Sequence, residues 1–281
     1  MTDHTIVRNH WGQPWVTTDG QPLHYDGKRK TPTNAVGYTR VSTLAGILDD
    51  KSGLIDWSSA NAAVGVVKDR SLFAQVASLV QKHGDPWSVP EAKRQLKPVV
   101  EAAQKRAGSD EASGLGTSFH EFTEVLDQGG SVEFAPAEMV PWLKAYQVAT
   151  ESLEVIDCEP FVVCDELKAA GSLDRLYRLP DGRVVVGDIK SGKSDNQYPL
   201  KVMTQVAVYA NSVRYDQVSG VRQPLHADLD SSVGLLVHAP IRTGRPRCTV
   251  YELDLVAGLR LARLAVEVRE ARKVGKLEVL A

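Results

Sequence analysis

The chain has 281 residues, of which 43% are hydrophobic and 24% charged, with a formal net charge of −2. That composition excludes extensive disorder, is ample for a sizeable buried core, and lacks the strongly basic balance of dedicated nucleic-acid binders. No apolar run is long enough for a membrane span or a signal peptide, and Cys158, Cys164 and Cys248 are too few and too dispersed for a disulfide framework, so a reducing cytoplasm is the expected compartment.

In chain order, the first residues to about Asp26 read as a β-hairpin around Thr18-Asp19-Gly20, followed by an exposed loop through Lys28-Arg29-Lys30 to Asn34. Ser42 or Thr43 can then serve as a helix cap, and Trp57 is more often a core aromatic than a wedge that splits a duplex. Residues from about Thr43 to Gly108 alternate helical segments with breaks near Gly53, Gly84-Asp85-Pro86 and Pro90. Gly114-Leu115-Gly116-Thr117-Ser118-Phe119-His120-Glu121 reads as a helix start, with Ser118 and Glu121 spaced as a capping box, His120 in the first turn and Glu124 on its face. A helix over about Ala135 to Glu151 and a strand over Val155 to Cys164 follow. Leu173–Leu179 and Arg183–Ile189 form a hairpin about Pro180-Asp181-Gly182, because turn residues separate two apolar or β-branched runs. A helix from Tyr198-Pro199 to about Asn211, strands near Val233–His238 and Arg247–Leu253, and a long final helix complete the chain. This divides into an N-terminal hairpin and helical region, 1–112, packed on a core, 113–281. Intermixed strands and helices predict an α/β core, a mixed central sheet of about five strands with helices on both sides.

The chemistry concentrates in the hairpin. Side chains two apart on a strand share a face, so Asp188 and Lys190 point the same way, and pairing across the turn brings Asp174 near Asp188. Two carboxylates that close need a shared proton or a bound cation, and a hard divalent ion satisfies both. The acid-x-lysine triplet alone is weak, for it recurs at Asp26–Lys28, Asp49–Lys51, Glu91–Lys93 and Glu166–Lys168. Only the triplet ending at Lys190 closes a continuous apolar run and faces an acid on the preceding arm. His120 by itself reads more often as a surface or packing residue than as a ligand, and its helix lacks the second histidine of a zinc protease. Gln205 and Tyr209, one turn apart, either flank the core beside Met203 and Val206 or bind a phosphate and stack on a base. Basic residues at Lys28–Lys30, at Arg242, Arg245 and Arg247, and along the last helix at Arg260, Arg263, Arg269, Arg272 and Lys273 are either solvated faces or nucleic-acid contacts.

Taken in order, Gly116 with His120, Gly171 with Asp174, Asp188 with Lys190, and Gln205 with Tyr209 resemble the motifs of the RecB-like branch of the PD-(D/E)xK nuclease superfamily, including the exonucleases of phage recombination. The resemblance spans roughly Gly114 to Tyr209 and implies a restriction-endonuclease-like core. It further implies Mg²⁺ or Mn²⁺ held by His120, Asp174, Asp188 and the Ile189 carbonyl, with Lys190 placing the attacking water beside Asp188 and Asp174. Gln205, Tyr209 and Ser191 would contact the nucleic acid, and Glu124 and Glu121 would support the ligands. The implied activity is metal-dependent DNA exonuclease cleavage that needs a free end, leaving 5′-phosphate and 3′-hydroxyl products. The implied partner is a recombination or single-strand-annealing protein. Some members hold an iron–sulfur cluster through four cysteines; with three dispersed cysteines, none is expected here. An endonuclease of the same superfamily and a catalytically silent DNA-binding or assembly protein on this fold are the alternatives.

Overall fold

The structure is a computed structural model that describes residues 6–193, 197, 199–241 and 243–275. The expected helix start at Tyr198 and the basic-loop residue Arg242 lie outside the described residues. The elements begin with β1 (Trp15–Thr17), β2 (Ala35–Gly37), β3 (Thr39–Arg40) and α1 (Val41–Ala45). Four longer helices follow, α2 (Ser52–Lys68), α3 (Arg70–His83), α4 (Pro90–Arg106) and α5 (Ser109–Asp127), then α6 (Val140–Thr150). Next come β4 (Glu154–Cys158), β5 (Phe161–Cys164), β6 (Ala169–Ser172), β7 (Arg175–Arg178) and β8 (Val184–Lys190). The chain closes with α7 (Leu200–Ala210), β9 (Val213–Tyr215), β10 (Arg222–Pro224), β11 (Leu229–His238), β12 (Thr249–Asp254) and α8 (Leu255–Ala271). Among the described residues no helix is long and apolar enough to cross a membrane.

Two compact units result, Met1–Asp49 with Phe119–Ala281, and Asp50–Ser118. The division expected at 112/113 is therefore displaced: the first 49 residues belong with the core. The smaller unit is helical, as its sequence predicts. Asp69 caps α3 by accepting the N–H groups of Ser71 and Leu72, and Pro90 opens α4, where its missing N–H costs nothing. Gly65 lets α2 lie against α4, since a Cβ there would fall 1.7 Å from the Ala103 carbonyl oxygen. Trp57, on α2, is about half exposed and is not a core aromatic.

The larger unit is α/β with two mixed five-stranded sheets in place of the single sheet expected, plus the two-stranded pair β1–β2. The site sheet runs β12-β11-β8-β7-β4 and is antiparallel except for the β11–β8 pair. A companion sheet runs β10-β9-β5-β6-β3, antiparallel except for β3–β6. The two are joined by one long ribbon: β4 pairs with β7 in the first, β5 with β6 in the second. Between them the Glu159 N–H donates to the Asp174 carbonyl (3.1 Å) and the Leu173 N–H to the Pro160 carbonyl (3.2 Å). The strand expected from Val155 to Cys164 is thus split at Glu159-Pro160, where Glu159 takes φ 53° and Pro160 has no N–H to continue a ladder.

Alternation on β7 and β8 sorts residues to the two faces of the site sheet. Leu176, Val184 and Val186 pack with Val206 of α7 and Leu255 and Ala262 of α8, whereas Tyr177 reaches Tyr146 of α6 on the other face. The basic residues of α8 are largely engaged within the chain, Arg263 with Glu166 and Arg269 with Thr39 and Glu270, so this helix is a core helix with a solvated face.

Two N-terminal expectations change. The turn at Thr18–Gly20 opens a long loop, because β1 pairs with β2 and not with residues near Asp26; Asn34 closes that loop by donating to Asp19 and the Pro22 carbonyl. Neither Ser42 nor Thr43 caps a helix, since both lie inside α1 after Arg40. Asp165 explains why this segment belongs to the core: it accepts from Tyr38 Oη (2.7 Å) and from Arg222 Nε (2.8 Å), and Arg222 also donates to the Thr17 carbonyl (2.9 Å). Partial burial raises the Asp165 pKa, but its bonds to Arg222 and Tyr38 outweigh that and hold it below its ordinary 3.8. A depressed carboxylate stabilises the fold above its unfolded pKa and loses that contribution as pH falls through its folded one. Urea unfolding at pH 6 and pH 3 should therefore show wild type ahead of Asp165→Asn at the higher pH, with a smaller gap at the lower; an equal gap at both would remove Asp165 as the tie.

Candidate active site

β8 is the central strand, buried along six of its seven residues, and ends at Lys190. Its register with β7 pairs Arg175 with Gly187, so one residue further Asp174 comes level with Asp188. There the ribbon turns away into the companion sheet and the backbone ladder ends. Asp174 replaces the lost partner: its Oδ2 accepts the Ile189 N–H at 2.7 Å. The hairpin, its turn and the approach of the two aspartates stand as expected from strand periodicity.

Asp188 is fully buried, a position that costs several kcal/mol for a lone carboxylate. Gln205 and Lys190 help offset the cost. Gln205 Nε2, from α7, donates to Oδ1 at 2.9 Å, and Lys190 Nζ pairs with Oδ2 while also lying 3.4 Å from the Ile189 carbonyl. Tyr209 is buried one turn further along α7, where a Cβ on Gly171 would come 3.1 Å from its hydroxyl; glycine at 171 makes that room. Burial, then the charge of Asp188, raises the Tyr209 pKa far above its ordinary value, so the phenol stays protonated. Gln205 and Tyr209 both lie inside the packed layer, the first holding Asp188. Ser191 follows Lys190 directly, half-buried at the end of the strand.

His120 reaches the same point from the opposite layer, its Nδ1 3.8 Å from Asp174 Oδ2. It does so from within α5, not from a first turn. The helix starts at Ser109, after Gly108 at φ 101°, and runs through Gly114 and Gly116, so Ser118 and Glu121 form no capping box. Isolated glycines cost a helix about 1 kcal/mol each without ending it. Burial lowers the His120 pKa, Asp174 opposes, and Lys190 and Arg175 push it down further, leaving a neutral imidazole near pH 7. Of the supporting acids, Glu124 accepts from Gln128 and lies on the His120 side of α5, whereas Glu121 is exposed on another face.

Glu159, Arg175 with its partner Asp127, and His238, which sequence reasoning passed over, complete the site. Glu159, at the bend, is raised to about 7, first by burial and next by the charge of Asp174; its sequence signal is the Glu-Pro pair interrupting a strand. Arg175 is wholly buried and donates to Asp127 of α5 and to the Asp174 carbonyl; its signal is a charge at an inward position of an apolar strand. His238, which ends β11 beside Lys190, shares a 2.7 Å hydrogen bond with the Gly192 carbonyl and fixes the backbone beyond the lysine.

The donor set is hard carboxylate and carbonyl oxygen with one neutral imidazole, which suits Mg²⁺ or Mn²⁺. His120 and Asp174 bring their donor atoms to 3.8 Å of each other at the strand end. Asp188 directs its second oxygen to the Lys190 ammonium, and among the described residues no three His, Cys, Asp or Glu side chains converge as a ready-made metal cluster. The residues fit a divalent ion in kind, with Lys190 standing as the cation at Asp188. Compared with known proteins, the chain matches no family model and no curated protein.

Gly187, next to Asp188, is required by packing. A Cβ there would lie 2.4 Å from Tyr177 Cε2, and that ring is locked, with its hydroxyl 3.3 Å from Tyr146 Oη. Gly187→Ala is expected to destabilise the protein by about 1–3 kcal/mol through overpacking. Chemical denaturation checks this, and wild-type stability in the variant would mean the tyrosine yields freely.

Proposed function

We propose that the protein is a metal-dependent nuclease that hydrolyses DNA phosphodiester bonds from a free end. The observation that supports this most is the Asp174–Ile189 hydrogen bond, which gathers Asp174, Asp188, Lys190 and His120 at one strand end. His120, Asp174, Asp188 and the Ile189 carbonyl would hold Mg²⁺ or Mn²⁺. A divalent ion supplies Lewis-acid polarisation of the phosphate and lowers the pKa of bound water.

The chain's own groups perform the remaining work. Neutral His120 offers a lone pair at neutral pH instead of competing as a cation. Lys190, at the strand end and about a quarter exposed, can leave Asp188 to orient water and neutralise charge developing on the phosphate. Gln205 keeps Asp188 fixed while that exchange occurs. DNA with a free end as substrate, a recombination or annealing protein as partner and a cytoplasmic setting follow from the motif resemblance and belong to this proposal.

The closed Lys190–Asp188 pair also favours a second reading, a binding or assembly protein on a nuclease-like fold whose charges serve structure. Incubating linear and covalently closed circular DNA with Mg²⁺, Mn²⁺ or EDTA decides between them. Metal-dependent loss of linear DNA alone is expected, with Asp188→Asn and Lys190→Ala each at least about 100-fold slower, the scale of losing one electrostatic stabiliser. Melting temperatures near wild type would show that both variants fold. Cut circles would indicate an endonuclease, and DNA left intact in every condition would favour the binding protein.

A further inference from the structure

Arg175 carries a network wider than one structural ion pair needs. Its guanidinium is 1% exposed, and its Nε donates to Asp127 Oδ2 at 2.6 Å; the Asp127 side chain is 8% exposed. Nη1 donates to the Asp174 carbonyl at 2.7 Å and lies 3.9 Å from Glu159 Oε1, while Nη2 donates to Thr123 Oγ1 at 3.4 Å. Tyr146 Oη adds a 2.7 Å bond to Asp127, so the carboxylate is held from two layers.

The spacing on α5 gives this network a consequence. His120, Thr123 and Asp127 stand at i, i+3 and i+7 and share one helix face. One guanidinium thus grips that face at two levels, about one and two turns beyond His120, while its other arm grips the main chain of Asp174. A slip of α5 by one residue would move His120 by about 1.5 Å and turn it by roughly 100°. Burying such a pair is seldom a net gain in stability over apolar packing, so its use is better sought in geometry. Lysine could not substitute, because a point ammonium lacks the fork that reaches three acceptors in different directions.

We propose that Arg175 and Asp127 are positioning residues that set His120 of α5 against Asp174 of the ribbon, fixing the spacing of the two donors. This rests on the nuclease reading of the site. Neither residue touches the reacting atoms; each acts through the placement of His120.

The test measures Mn²⁺ affinity by isothermal titration calorimetry, alongside cleavage of linear DNA, for wild type, Arg175→Lys, Asp127→Asn, His120→Ala and the His120→Ala/Arg175→Lys double variant. Arg178→Ala, which removes an exposed pair with Glu154 on the same strand, is the control. Arg175→Lys and Asp127→Asn should each weaken Mn²⁺ about 10-fold, the usual cost of removing a group that orients a ligand. In the His120→Ala background, Arg175→Lys should cost less than about 2-fold more, because coupled residues are not additive. Wild-type affinity in folded Asp127→Asn, or a full additive loss in the double variant, would overturn the inference. Should Arg175→Lys fail to fold, the Asp127→Asn and His120→Ala/Asp127→Asn comparison carries the same decision. Wild-type protein that neither binds Mn²⁺ nor cuts DNA would overturn the nuclease reading itself, an outcome distinct from normal binding in the variants.

Discussion

The site depends on a bend in a β-ribbon. Where β4–β7 becomes β5–β6, the chain leaves one sheet for the other, and β8 loses β7 as a neighbour just as it reaches Asp188 and Lys190, while β11 continues on its other side. A buried backbone N–H cannot be left without a partner, and at Ile189 the partner is the Asp174 carboxylate. The same bend that interrupts the ladder therefore recruits an acid to the strand end. Had the ribbon continued straight, main-chain carbonyls would have served Ile189 and the acid would have had no fixed place. Glu159, in its left-handed conformation, and Pro160 are the residues that make the turn.

Charge is then distributed so that each buried group has a counterpart. Asp188 takes Lys190 and Gln205, and Arg175 takes Asp127, Thr123 and the Asp174 carbonyl. These partners come from both faces of the sheet, Gln205 from α7 and Asp127 from α5. The strand end is consequently clamped from two layers, which is a stiffer arrangement than side chains borne on loops. Glu159 and His120 sit at the edge of this arrangement, and burial moves both toward their neutral forms, the acid upward and the histidine downward.

Much of this was legible in the chain, and the rest was hidden for identifiable reasons. Asp188, Lys190 and Asp174 could be placed together because strand alternation and a Pro-Asp-Gly turn are local signals. Gln205 could be placed on α7 for the same reason, but its hydrogen bond to Asp188 could not, since it depends on packing 17 residues away. The division into two sheets was obscured because Val155 to Cys164 reads as one apolar strand unless Glu159-Pro160 is weighed as a break. The early start of α5 was masked by Gly114 and Gly116, which look like a turn although neighbouring residues sustain a helix. Arg175 and Asp127 lie 48 residues apart, and nothing local announces that they pair.

Lys190 and Asp188 differ in depth. The lysine ammonium compensates Asp188, yet its side chain starts at the last residue of the strand and keeps a solvent-facing part, whereas Asp188 has none. Of the two, only the lysine reaches solvent. Without Lys190, Asp188 would need another positive charge, while Gln205 continues to hold its other oxygen. The structure thus orders the pair by depth: the carboxylate lies inside, held on its other oxygen by Gln205, and the ammonium lies at the mouth.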